Sequence, residues 1–233
     1  LITSKEFVEK AIEYEKLKTT YVWGTFGWPV TSANIERVCS QYPGMNNKRK
    51  ASMQSLVGQD AWMFDCVGYI KGLLWGFRGS GSSYGGAQYA SNGVPDIDAD
   101  TMINRCSGVS TDFSNIVPGE VVWKSGHIGI YIGDKKVVEC TPGWENGVQI
   151  TACGNLGKVT SLNTTTWTKH GKLPYVKYEA AEKSAVDTTV DNMIADKVTT
   201  EANREYWTAV LSGTKTVNVD WLKKILDNYH IVK

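Results

Sequence analysis

PGEVVWKSGHIGIYIGDKKVVECTP, residues 118–142, decides the reading of this chain. Pro118 and Gly119 mark a turn. After them EVVW, HIGIYIG and KVVEC read as successive apolar strands joined by tight polar turns, with VQIT (148–151) as a fourth. The turn through Asp134 and Lys135 brings Glu139 back beside His127, with both side chains on one face of the sheet. Glu139 stands among apolar neighbours, where a carboxylate needs a partner. An imidazole on a rigid strand is that partner, and an orienting carboxylate is what a catalytic histidine requires.

A second stretch supplies the other half of the chemistry. WMFDCVGYIKGLLWGF, residues 62–77, predicts an apolar helix over 63–77 with Cys66 at its start. A thiol at a helix N-terminus has its thiolate favoured by the helix dipole. His127 is one of only three histidines. His170 lies in WTKHGKLPYV, read as a polar turn, and His230 lies near the C-terminus. By elimination and context His127 is the base for Cys66, and the pair points to nucleophilic cysteine catalysis.

The rest of the chain bounds this reading. With 233 residues there is room for one sizeable core and a small appendage. Hydrophobic residues make up 42% and charged residues 21%, the balance of a globular protein. A formal net charge of +1 argues against a nucleic-acid binder. No apolar run approaches the roughly 18 residues of a membrane span, and LITSKEFVEK lacks the basic start and apolar stretch of a signal peptide. Cys39, Cys106, Cys140 and Cys153 form no CxxC pair and read as buried free thiols, so neither a zinc site nor any other cofactor is expected.

TSKEFVEKAIEYEKL, near the N-terminus, predicts a helix with a Thr3–Glu6 capping box and Phe7, Ala11 and Tyr14 on one face. TYVWGTFGWPVT reads as an aromatic, Gly-rich turn and residues 40–60 as irregular. The Gly/Ser-rich run RGSGSSYGGAQYASNGVPDIDAD reads as a loop, and LPYVKY as the last strand. From about Glu179 the composition turns polar, as in a linker over 179–186. Three short amphipathic segments follow within 187–233: Val190, Ile194 and Val198; Tyr206, Trp207, Val210 and Leu211; and Trp221, Leu222, Ile225, Leu226 and Tyr229.

Taken together, YVWG, FDCVGYIKG, PGEVVWKSGHIGIYIGDKKVVEC and GKLPYV resemble the NlpC family of papain-like cell-wall peptidases, closest to its phage and prophage lysins. The resemblance spans roughly residues 4–178. It implies an α+β papain-like fold, a nucleophile helix packed on an antiparallel sheet, with a small all-α C-terminal module outside it. It also implies Cys66 as nucleophile, His127 as general base and Glu139 at the third catalytic position, where the family more often has a neutral or imidazole side chain. Tyr21 matches the tyrosine before WG whose hydroxyl lies near the nucleophile. Thr25 stands where a second glycine is often found. Asp65 precedes the nucleophile as in the family and is read as a helix-start residue on the substrate side, with Trp23. Trp144, in the Pro/Gly turn after Glu139, is expected to line the cleft.

The implied substrate is bacterial peptidoglycan, cut in its stem peptide between D-glutamate and the diamino acid, with no metal. Alternatives are the sugar–peptide amide, acyl transfer to an amine or alcohol, and a non-enzymatic wall-binding role. The site of action is the bacterial cell wall, reached by a phage or prophage lysin made in the host cytoplasm or by a secreted enzyme. The C-terminal module is expected to bind the wall or to form a homodimer. Two other patterns are weak. Gly81, Ser83 and Gly85 spell GxSxG without the strand and helix of a nucleophile elbow. Asp96, Asp98 and Asp100 open like a calcium loop but continue with Thr101 and reach Ser107 where Glu is needed.

Overall fold

The computed structural model describes residues 1–81, 83–178, 185–195, 199–213 and 215. The chain divides into two compact units, 1–178 and 179–233. The first is α+β. Its main sheet has seven strands in the order Thr164–Thr165, Gly147–Cys153, Lys136–Thr141, His127–Gly133, Val121–Lys124, Lys169–Lys172 and Ser107–Ser110. All neighbours are antiparallel except the first pair. A three-stranded sheet is made by Thr19–Tyr21, Trp62–Phe64 and Phe26–Pro29, with Trp62–Phe64 in the middle. Among the described residues no helix is long and apolar enough to cross a membrane.

The Cys66–Leu74 helix is buried along its whole length. A helix apolar all round has no solvent face to offer and belongs inside a core. It packs on Phe26–Pro29 and on the His127–Gly133 and Lys136–Thr141 strands. Glycines at one-turn spacing allow this approach. A Cβ on Gly68 would lie 1.9 Å from the Thr25 carbonyl, and one on Gly72 2.6 Å from the Phe26 carbonyl. The helix begins at Cys66, later than the predicted 63, because Trp62–Phe64 extends to join the small sheet.

The N-terminal helix, Ser4–Glu15, carries both hydrogen bonds of the Thr3–Glu6 capping box and buries Phe7, Ala11 and Tyr14. Elsewhere the structure departs from sequence expectation. TYVWGTFGWPVT is not only a turn, since Thr19–Tyr21 and Phe26–Pro29 are strands. Ser32–Gln41 is a helix capped by the Thr31 hydroxyl. Residues 43–54, expected to be irregular, form short helical turns that bury Asn46 and Met53. Their polar composition hides a narrow buried face. Of LPYVKY only Val176–Lys177 is strand, paired in parallel with Ile2–Thr3. The last strand of the main sheet is instead Lys169–Lys172. His170 therefore lies on a strand and not in a turn. It is buried against Glu120, with its Nε2 donating to the Asp112 carbonyl at 2.9 Å. Paired polar groups explain why a run as polar as KHGK sits inside a sheet.

In the second unit, Ala185–Ala195 and Arg204–Leu211 are helices, and Val190 and Trp207 form the centre of a small apolar cluster with Ile194, Tyr206 and Val210. Leu211 is exposed. Val198 and the segment from Trp221 to Tyr229 lie outside the described residues.

Candidate active site

The His127–Gly133 strand follows a two-residue turn, Ser125–Gly126, whose Gly126 takes φ +70°, in the left-handed region. Two groups clamp that turn. The Gly126 N–H donates to Asp100 Oδ1 at 2.9 Å, and the Cys66 thiol donates to the Gly126 carbonyl at 3.9 Å. The N–H of Ile128 also points to the Cys66 sulfur. Cys66 thus packs against the residues on both sides of His127.

The next turn, Asp134–Lys135, has both residues at positive φ, 49° and 61°, matching the twist of a tight hairpin. It sets Glu139 opposite Gly129 and diagonal to His127 on the same face. His127 Nε2 meets Glu139 Oε2 at 2.6 Å, leaving Nδ1 without a hydrogen-bond partner among the described residues. Glu139 is 1% exposed. Its other oxygen accepts from the hydroxyls of Thr151 at 2.5 Å and Thr165 at 2.7 Å. Burial works to raise this carboxyl, but the His127 bond and the two hydroxyls outweigh it and hold it below its ordinary range.

Trp167 completes the support. Its ring stacks on the His127 imidazole, centroids 5.3 Å apart and planes 16° from parallel. Gly129 makes room for it: a Cβ there would come within 3.2 Å of the Trp167 ring and 2.7 Å of Val137. Sequence reasoning missed Thr151, Thr165 and Trp167. Thr151 faces inward on a strand that the sequence does reveal, but the other two come from a segment with no apolar alternation.

Cys66 is 5% exposed and borders a groove of about 710 Å³. Its environment corrects the expectation of a ready-made thiolate. The N–H groups of Ile128, Val67 and Cys66 itself do favour the anion, as a helix N-terminus should. Burial, followed by the Asp65 carboxylate, outweighs them and pushes the thiol up to about 12. The resting Cys66 side chain is therefore a neutral thiol near neutral pH. Alkylation of Cys66 by iodoacetamide should then rise about tenfold per pH unit through the alkaline range, since only the thiolate reacts. Peptide mapping of the labelled protein checks this. A rate already level by pH 7 would show a preformed thiolate–imidazolium pair instead.

Asp65 is the helix N-cap. It accepts from Gly68 N–H at 2.6 Å and Gly24 N–H at 2.7 Å, so both oxygens are committed to backbone. Burial, only partly offset by Lys71 and these N–H groups, holds it above the usual carboxylate range. Tyr21 is buried, with the Arg49 guanidinium 5.3 Å over its ring. Burial and then the neighbouring Cys66 raise its phenol. Thr25 is buried and donates to the Val22 carbonyl at 2.7 Å, closing the turn above the helix start. Trp23 and Asp65 line the groove beside Cys66. Trp144 does not. It is 51% exposed at φ +51° in the turn after Lys136–Thr141, on the far side of Glu139 in sequence, and the groove is walled instead by residues 23–42 and 84–100.

The weak patterns resolve structurally. Ser83 lies in irregular chain with neither strand before it nor helix after it. The three aspartates are each engaged by protein donors: Asp96 by Lys71 and Tyr89, Asp98 by Thr101 N–H, and Asp100 by Trp123 and Gly126. A scan against protein-family models and a search of curated proteins find no match for this chain.

Proposed function

We propose that the chain is a cysteine peptidase of the NlpC type with a papain-like fold. It hydrolyses a stem-peptide amide of bacterial peptidoglycan, between D-glutamate and the diamino acid. The observation that carries the proposal is the line of groups from groove to core. A thiol at a helix start faces the turn before His127, and the His127 ring is anchored through Nε2 to a buried, ionised Glu139 at 2.6 Å.

The chemistry follows from that line. Substrate binding in the groove brings an amide carbonyl to Cys66. The thiol gives its proton to His127 Nδ1 as its sulfur attacks the carbonyl carbon. Glu139 stabilises the imidazolium that forms, and the face of Trp167 adds to this. The free N–H at the helix start receives the developing oxyanion. His127 then protonates the leaving amine, and water, deprotonated by the same ring, releases the carboxylate from the thioester.

Incubation with a soluble stem peptide, its products read by mass spectrometry, tests the proposal. One new amine and one new carboxylate are expected. An intact peptide rejects the reading, and a conjugate with an added amine in place of the carboxylate makes the protein a transferase.

A chain ending at Tyr178 should cleave that peptide at a rate close to the parent's. All the named groups precede it, and Tyr178 itself ties the last segment down by accepting from Leu173 N–H and donating to the Gly119 carbonyl. On intact walls the shortened chain should be slower, since a wall-binding module raises local enzyme concentration. Equal rates on walls, with a parent dimer that dissociates on truncation, would make the C-terminal unit an assembly module.

A further inference from the structure

The two turns that flank the His127–Gly133 strand are unlike. Asp134 and Lys135 both have positive φ, the pattern that matches strand twist, so that turn holds itself. In Ser125–Gly126 only Gly126, at +70°, is positive. That sign pattern belongs to a type II turn, which splays the strands of a two-residue hairpin. The turn that begins the His127 strand therefore depends on groups from outside the hairpin.

Asp100 supplies the stronger hold. It stands in the short helix Ala99–Asn104, which Asp98 caps and Met102 and Ile103 fix in the core. Its Oδ1 accepts from the Gly126 N–H at 2.9 Å and from the Trp123 indole N–H at 2.8 Å. Lys169 lies 4.6 Å over the Trp123 ring. One oxygen thus ties the turn to the Val121–Lys124 strand before it. Gly126 is held at its other backbone group as well, since its carbonyl accepts from the Cys66 thiol at 3.9 Å. Asp100 is exposed at the groove wall, but two donors from one hairpin converge on a single charged acceptor, and such bonds are stronger than neutral ones.

We propose that Asp100 is a positioning residue for the reaction. It touches neither Cys66 nor His127 and acts through Gly126, keeping the start of the His127 strand in register with the thiol. The inference rests on the peptidase reading above. What the role needs is an acceptor oxygen at Oδ1, not a negative charge. An asparagine keeps that oxygen and an alanine does not.

Steady-state cleavage of a soluble stem peptide by the full chain, well below the Tm of every variant, tests this. Asp100→Ala should lower kcat by about 10–100-fold, the scale of an ångström-size misplacement, with KM within about twofold of the parent's. Asp100→Asn should restore kcat to within about threefold. Exchange of the Gly126 amide proton, followed by NMR on the same proteins, should be slow in the parent and in Asp100→Asn and at least tenfold faster in Asp100→Ala. A parental kcat in Asp100→Ala, or unchanged Gly126 exchange there, overturns the proposal. So does an Asp100→Asn variant as slow as Asp100→Ala, or a loss confined to KM, since either would mean that the charge itself meets the substrate. In each of these cases the parent still cleaves, and the peptidase reading stands. A parent that cleaves no stem peptide brings down the peptidase reading, and the positioning role with it.

Discussion

Cys66→Ala should lower stem-peptide hydrolysis by about 10⁴-fold or more and leave the chain folded. The activity loss follows from removing the atom that carries the acyl group, since deleting a nucleophile from a triad costs rates of this order. The fold should survive because alanine suits a helix start and only the sulfur is lost from a 5% exposed position. About 1 kcal/mol of stability is at stake, a shift of a few degrees in Tm for a domain of this size. Turnover and thermal melting measured on one preparation separate the two effects. EDTA should not alter the parent's rate. Turnover within tenfold of the parent in Cys66→Ala would remove the thiol from the mechanism.

Glu139→Gln should reduce turnover by about 10–10⁴-fold, the range for weakening the charge behind a catalytic imidazole. Glutamine keeps the shape, and the Thr151 and Thr165 hydroxyls can turn to suit it, so the ring should stay in place. What is lost is the negative charge opposite the imidazolium. The same charge gives an acid limb to stability. Burial opposes ionisation of Glu139, yet its hydrogen bonds leave the folded carboxyl below its ordinary value of 4.5. Its contribution is therefore present above about pH 4.5 and is lost as pH falls through the lower folded value. The Tm difference between parent and Glu139→Gln should shrink on acidification through that range. Unchanged turnover with an unchanged acid limb would assign the orienting role elsewhere.

The parts of this site that lie close together in sequence were legible. The pairing of HIGIYIG with KVVEC follows from β-branched runs around a two-residue turn, and the turn fixes which residue of one strand meets which of the other. That arithmetic alone puts Glu139 beside His127. The buried helix was legible because 62–77 holds so few polar groups, although Trp62–Phe64 left it for the small sheet. Groups that depend on distant segments were not legible. Thr165 and Trp167 reach Glu139 and His127 only because Thr164–Thr165 joins the sheet edge beside Gly147–Cys153. His170 read as a turn residue because its partners, Glu120 and Asp112, lie about fifty residues away. The Ser32–Gln41 helix buries only Ile35, Val38 and Cys39, a stripe too narrow to stand out among polar residues. Trp144, which its place after Glu139 suggested for the cleft, is exposed in the turn that follows and does not line the groove that Cys66 borders.

The central claim is that this chain cuts a stem-peptide amide of peptidoglycan with Cys66. Its most direct test is parallel digestion of purified cell wall by the parent and by Cys66→Ala, with the muropeptide masses compared. With the parent, the account predicts fragments split between D-glutamate and the diamino acid, each cut adding one water. With the variant, it predicts no cut. Walls left intact by the parent, or the same fragments from both proteins, would contradict it.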